Sequence, residues 1–135
     1  MRRLPLLAAL AVVLVLAGCG GGSSKPYTAK ATAPCLVEKG FKGVTTVAAK
    51  IGFIAAFSGN GGLQARSPAG NTLTIAFGDN SDAVNGLERA YRKAAPATLR
   101  PHMADIMEAQ GNAVLVWTVS PGQQELSDAE SCLKS

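Results

Sequence analysis

Asp105-Ile106-Met107-Glu108-Ala109-Gln110-Gly111-Asn112-Ala113-Val114-Leu115-Val116-Trp117-Thr118-Val119 is the stretch that decides the fold class. Two extended runs, 105–110 and 113–119, flank Gly111-Asn112, a two-residue turn of the kind that sets hairpin register. Val114 to Trp117 is apolar almost without interruption, which marks a central strand. A central strand needs neighbours on both sides, and the chain upstream supplies them. Leu63 to Ser67 alternates apolar and polar residues, and Thr72 to Phe77 does so again with Leu73, Ile75 and Phe77 on one side. Pro68-Ala69-Gly70-Asn71 between them is turn chemistry, so a second hairpin is expected. Val44 to Val47 is short and β-branched and reads as a further strand.

Helical signals alternate with these strands. Asp82 to Ala94 has the clearest apolar stripe, Ala83, Val84, Leu87, Tyr91 and Ala94, with Ser81 as the expected cap and Pro96 beyond its end. Glu88 and Arg92 stand at a favourable i,i+4 spacing on its polar face. A last helix is expected from Ser120 as cap and Pro121 at its first position to about Leu133, with Leu126, Ala129 and Leu133 inward. Pro34 to Lys39 reads as one or two helical turns stopped by Gly40. Lys50 to Ser58 reads as a short helix, weakened by Gly52. The expected class is α+β: a small antiparallel sheet of four to five strands with helices packed on one face.

The first nineteen residues carry a different message. Met1-Arg2-Arg3 is a positive start, and Leu4 to Ala17 is apolar except for Pro5. That run is short of the ~20 residues a spanning helix needs, and with its charged start it has the pattern of a cleaved export signal. Leu16-Ala17-Gly18-Cys19 resembles the lipobox of bacterial lipoproteins. The resemblance implies cleavage between Gly18 and Cys19, with a diacylglyceryl thioether (palmitate or similar chains) on Cys19. Two acyl chains from one residue would anchor the chain stably where one would not. The resemblance covers residues 1–19 and implies an extracytoplasmic, membrane-anchored location in the cell envelope.

Domain boundaries follow from that reading. Residues 1–18 are the signal, residues 19–33 the lipidated cysteine and a flexible tether opening on Gly20-Gly21-Gly22-Ser23-Ser24, and residues 34–135 one domain. Removing the signal lowers the net charge from +4 to +2, eleven basic against nine acidic residues, scattered rather than clustered. A nucleic-acid partner is therefore not expected.

Three cysteines become a pair once Cys19 is set aside. In an oxidising compartment Cys35 and Cys132 read as a disulfide joining the N- and C-terminal helices. A redox or metal role would want a C-x-x-C spacing or a third ligand, and the sequence has neither.

Candidate chemistry is sparse. His102 is the only histidine. With Asp105 it could serve a small hydrolase, but no nucleophile motif such as G-x-S-x-G accompanies it. His102, Met103 and Met107 form a soft ligand set suited to Cu(I), and a copper-binding accessory protein is the alternative reading. Ser58-Gly59-Asn60-Gly61-Gly62 lacks the Lys and Ser/Thr of a phosphate loop. Asp79-Asn80-Ser81-Asp82 lacks the spacing of a calcium loop and is better suited to helix capping. No nucleophile, acid/base pair or cofactor loop assembles. The leading expectation is a non-catalytic domain without cofactor, binding an envelope protein or a surface ligand.

Overall fold

The computed structural model describes residues 25–135. The signal and lipobox, with Gly18 and Cys19, lie outside those residues. Among the described residues, no helix is long and apolar enough to cross a membrane.

Five strands form one antiparallel sheet in the order β1-β2-β3-β5-β4: β1 (Lys42–Thr45), β2 (Gly62–Arg66), β3 (Thr72–Phe77), β4 (Met107–Gln110) and β5 (Ala113–Trp117). Both expected hairpins are present. Gln110 pairs with Ala113 across Gly111-Asn112, and Gly111 takes φ +58° while Asn112 stays negative. Glycine first with positive φ is the requirement of a type II′ turn. β3 is the middle strand and β5 is an interior strand beside it, as the unbroken apolar run at 114–117 implied.

Among the described residues six α-helices accompany the sheet: α1 (Ala29–Glu38), α2 (Ala48–Ile51), α3 (Phe53–Ala56), α4 (Val84–Ala94), α5 (Met103–Ile106) and α6 (Gln123–Ser131). They cover both faces rather than the one expected. Gly61 and Gly62 are neighbours on β2's leading edge and must point to opposite sides. A Cβ on Gly61 would meet Ala29 of α1, whereas a Cβ on Gly62 would collide with Ala55 of α3. Along the first face Leu63, Ile75 and Leu115 stand in register, beneath α1 and α6. Ala76 lies on the second face with Ile51 and Ala55, and Leu87 and Tyr91 of α4 pack against them. The physical reason is legible in burial: Ile75, Ala76 and Phe77 are all fully buried, as are Ala113, Val114 and Leu115. Strands buried on both faces lose the polar half of their alternation.

Several boundaries move. The first helix begins at Ala29, not Pro34, so part of the expected tether is folded. Thr28 caps it by accepting from the Ala31 N–H, and Ala29 and Thr32 are buried. Pro34 thus sits inside the helix and is not its start signal. Gly52, at φ +84°, breaks the expected helix at 50–58 into α2 and α3. Asn80 takes the cap expected of Ser81, accepting from the Ala83 N–H ahead of α4. Residues 103–106 are helical, so β4 starts at Met107 instead of Asp105. The last helix starts at Gln123, later than the Ser120-Pro121 signal, and the Glu125 carboxylate accepts from the Gly122 N–H at its start.

The termini are stitched together. Cys35 and Cys132 form the expected disulfide, linking α1 to the end of α6. Thr28 donates its N–H to the Lys134 carbonyl at 2.8 Å, and the fully buried Thr32 hydroxyl accepts from the Lys134 N–H at 3.1 Å. Thr28, Thr32 and Cys35 recur at four- and three-residue spacing, so one stripe of α1 holds the whole C-terminal tail.

Candidate functional site

An apolar cleft of about 470 Å³ opens on the second face of the sheet. Ile51, Phe53 and Ile54 form one wall, Tyr91, Ala94 and Leu99 another, and Met103, Ile106 and Val116 the floor, with Trp117 at one end. Its size lies within the ~300–1,000 Å³ typical of small-molecule sites, which combine an apolar lining with few polar groups. Each wall follows from local sequence. Gly52 turns the chain between α2 and α3 and so presents Phe53 at the mouth. Pro96, after the last residue of α4, ends that helix and sends the chain across to Leu99.

The mouth is unusual. Phe53 and Phe57 are 77% and 76% exposed and lie against each other with ring centroids 4.5 Å apart. Deeper in, burial pushes the Tyr91 hydroxyl pKa up to about 12. Tyr91 Oη and Trp117 Nε1 are the buried side-chain polar atoms that lack a protein partner among the described residues. Tyr91 lines this cleft, whereas the Trp117 ring alternates to the other face of the sheet with Leu115; an unpaired buried donor is costly.

A second, wider groove of about 630 Å³ lies between α1 and the α2–α3 segment, beyond the point where β1 leaves β2. Lys30, Thr46 and Asn60 share its rim with small residues. The Ser58–Gly62 loop at its edge has its amides committed: Asn60 N–H donates to the Phe77 carbonyl and Gly61 N–H to the Ser58 carbonyl. They are not free to cradle an anion.

The residues singled out from sequence do not converge. His102 lies in a short 3-10 turn with its side chain 67% exposed, and its Nδ1 is 3.9 Å from Asp105 Oδ2. Asp105 lines a small hollow of about 250 Å³ with Ser120, but His102 is not part of it. Met103 and Met107 are buried in the core, Met103 flooring the apolar cleft. The soft ligand set is therefore divided between the surface and the interior. Among the described residues no three His, Cys, Asp or Glu side chains gather as a metal-binding group.

Sequence reasoning missed the cleft. Its lining comes from segments that each look like ordinary core, and only the tertiary fold brings them together. The one available signal was Phe53 and Phe57 at i,i+4 directly after Gly52, too many large rings for so short a helix to bury. A second unforeseen feature is the Glu108–Glu130 pair between β4 and α6. Partial burial, a hydrogen bond that the protonated Glu108 carboxyl donates to Glu130, and repulsion by the Glu130 charge together raise the Glu108 pKa.

Compared with known proteins, the chain matches no family model, no curated protein and no solved structure.

Proposed function

We propose that the chain is a membrane-tethered, extracytoplasmic binding domain without catalytic chemistry, held by a lipidated Cys19 and working through the apolar cleft between α3, α4 and α5. The observation that carries this reading is the cleft itself, a ligand-sized apolar hollow with an exposed aromatic pair at its mouth. Its lining has no ionised group and no histidine or carboxylate to activate the Tyr91 or Thr118 hydroxyl, so it supports recognition by apolar contact rather than bond making. The occupant is an apolar ligand, or an apolar side chain of an envelope partner. An acceptor oxygen on that ligand would complement Tyr91, whose hydroxyl has no partner among the described residues. The export signature at residues 1–19 and the disulfide support the location, since both fit an oxidising compartment.

Titrating the domain from Lys25 onward with dodecanoate while recording the heat of binding tests the proposal directly. The expected result is a saturable heat signal that disappears when Ala94→Phe fills the cleft from its α4 wall. A titration that shows no heat beyond dilution would contradict it.

A further inference from the structure

Charge is divided across the sheet. Helices α2 to α4 carry Lys50, Arg89, Arg92 and Lys93 against Glu88, all four basic residues being exposed. On the opposite face α1 and α6 carry Glu38, Glu125, Asp128 and Glu130 against Lys30 and Lys39. Asp79 and Asp82 precede α4 at one end of the sheet. The exposed Phe53–Phe57 pair belongs to the basic side.

The undescribed part of the chain ends at a definite place. Tyr27 is held by the Asn112 side chain, and Asn112 and Asn60 both donate to the Gly78 carbonyl, at 2.7 and 2.8 Å. Asn60 follows Phe57 by three residues. The point where the chain joins the fold and the end of α3 therefore share one end of the sheet. Residues 19–24, six in number, can span at most about 20 Å.

We infer that the α2–α4 face docks on an anionic bilayer surface, with Phe53 and Phe57 at the headgroup–acyl boundary and the basic side chains against the headgroups. This rests on the anchoring at Cys19 proposed above. An aromatic pair on a basic face is the combination that favours such an interface, because apolar burial and attraction to anionic lipid act together. The short tether keeps the point where the chain joins the fold within about 20 Å of the anchor, so docking costs little further loss of freedom. An exposed apolar patch of this kind calls for a cover. The bilayer to which Cys19 would anchor the chain is a surface within the tether's reach.

The test uses the full, processed chain carrying Phe57→Trp, recovered from host membranes and reconstituted into phosphatidylglycerol–phosphatidylcholine vesicles whose acyl chains carry bromine. The emission added to that of the parent protein should shift to shorter wavelength and be quenched by bromine. Arg89→Glu with Lys93→Glu, or vesicles of phosphatidylcholine alone, should weaken both effects. Protein that floats with the vesicles but keeps water-like, unquenched emission overturns the docking and leaves the anchor standing. Protein that does not float overturns both. Blue-shifted emission without quenching, with a second protein crosslinked at this face, assigns the surface to a protein partner and also overturns the inference.

Discussion

The side-chain amide of Asn112 holds both backbone polar groups of Tyr27, 85 positions away in the chain: Oδ1 accepts from the Tyr27 N–H at 2.7 Å and Nδ2 donates to its carbonyl at 2.9 Å. Nδ2 also reaches the Gly78 carbonyl, and Asn112 is only 4% exposed. One buried residue thus closes the hairpin turn, the end of β3 and the start of the folded chain. Asn112→Ala should cost about 2–4 kcal/mol, since it removes three hydrogen bonds and leaves their partners buried. Denaturant midpoints measure that loss. The same variant should let the Tyr27 amide exchange with solvent well before global unfolding, and unchanged protection there would refute the clamp.

The disulfide closes a span of 97 residues. On chain-entropy grounds, reduction or Cys35→Ser with Cys132→Ser should cost up to about 4–5 kcal/mol. Thr28, Thr32 and the Lys39–Asp128 pair still join α1 to the C-terminal segment. The expected outcome is a lowered melting temperature with the same far-ultraviolet circular dichroism, not loss of the fold.

Tyr91 gives the cleft a pH signature. Its pKa is about 12 in the folded protein against an ordinary 10. The unfolded chain loses that proton first, so the stabilisation is complete below pH 10 and is lost as pH rises through about 12. The two-unit gap corresponds to roughly 2–3 kcal/mol. Between those pH values the parent should lose stability more steeply than Tyr91→Phe. Parallel curves from alkaline denaturation would show that Tyr91 is not sealed beneath the lining.

Glu108 behaves in the opposite sense to a salt-bridged carboxylate. Its pKa is raised by burial and by Glu130, so the folded state holds its proton more tightly than the unfolded chain does. That contribution is present below the ordinary carboxylate range and is lost as pH climbs through the raised value. Glu108→Gln should therefore be more stable than the parent at pH 7, with the difference shrinking in acid. Paired melting curves at pH 4 and pH 7 check the sign.

What the sequence made legible, and what it hid, follow from the range of the interactions. The hairpins were local, so Gly111-Asn112 and the 68–71 turn located them. The disulfide followed from cysteine count and compartment. The helices at 50–58 and 82–94 were legible as helices, but their place on a second face was not, and α2 and α3 are single turns too short for a 3.6-residue period to show which side they bury. The 114–117 run and Ala76 between Ile75 and Phe77 carried that information as a lack of alternation. Turn chemistry identified Asn71 and Asn112 as loop residues, yet both are buried clamps. Asn71 grips the Val119 backbone as Asn112 grips Tyr27. Their partners are 48 and 85 positions away, beyond any sequence window. The cleft was hidden for the same reason. The His102, Met103 and Met107 cluster looked coherent only because adjacency in sequence ignores which residue faces the core.

The account depends most on the residue at which the mature chain begins. Mass spectrometry of the protein recovered from its host's membranes should find Cys19 at the N-terminus, carrying a diacylglyceryl group, with residues 1–18 gone. A chain that still starts at Met1 and partitions into the aqueous phase of a detergent separation would contradict it.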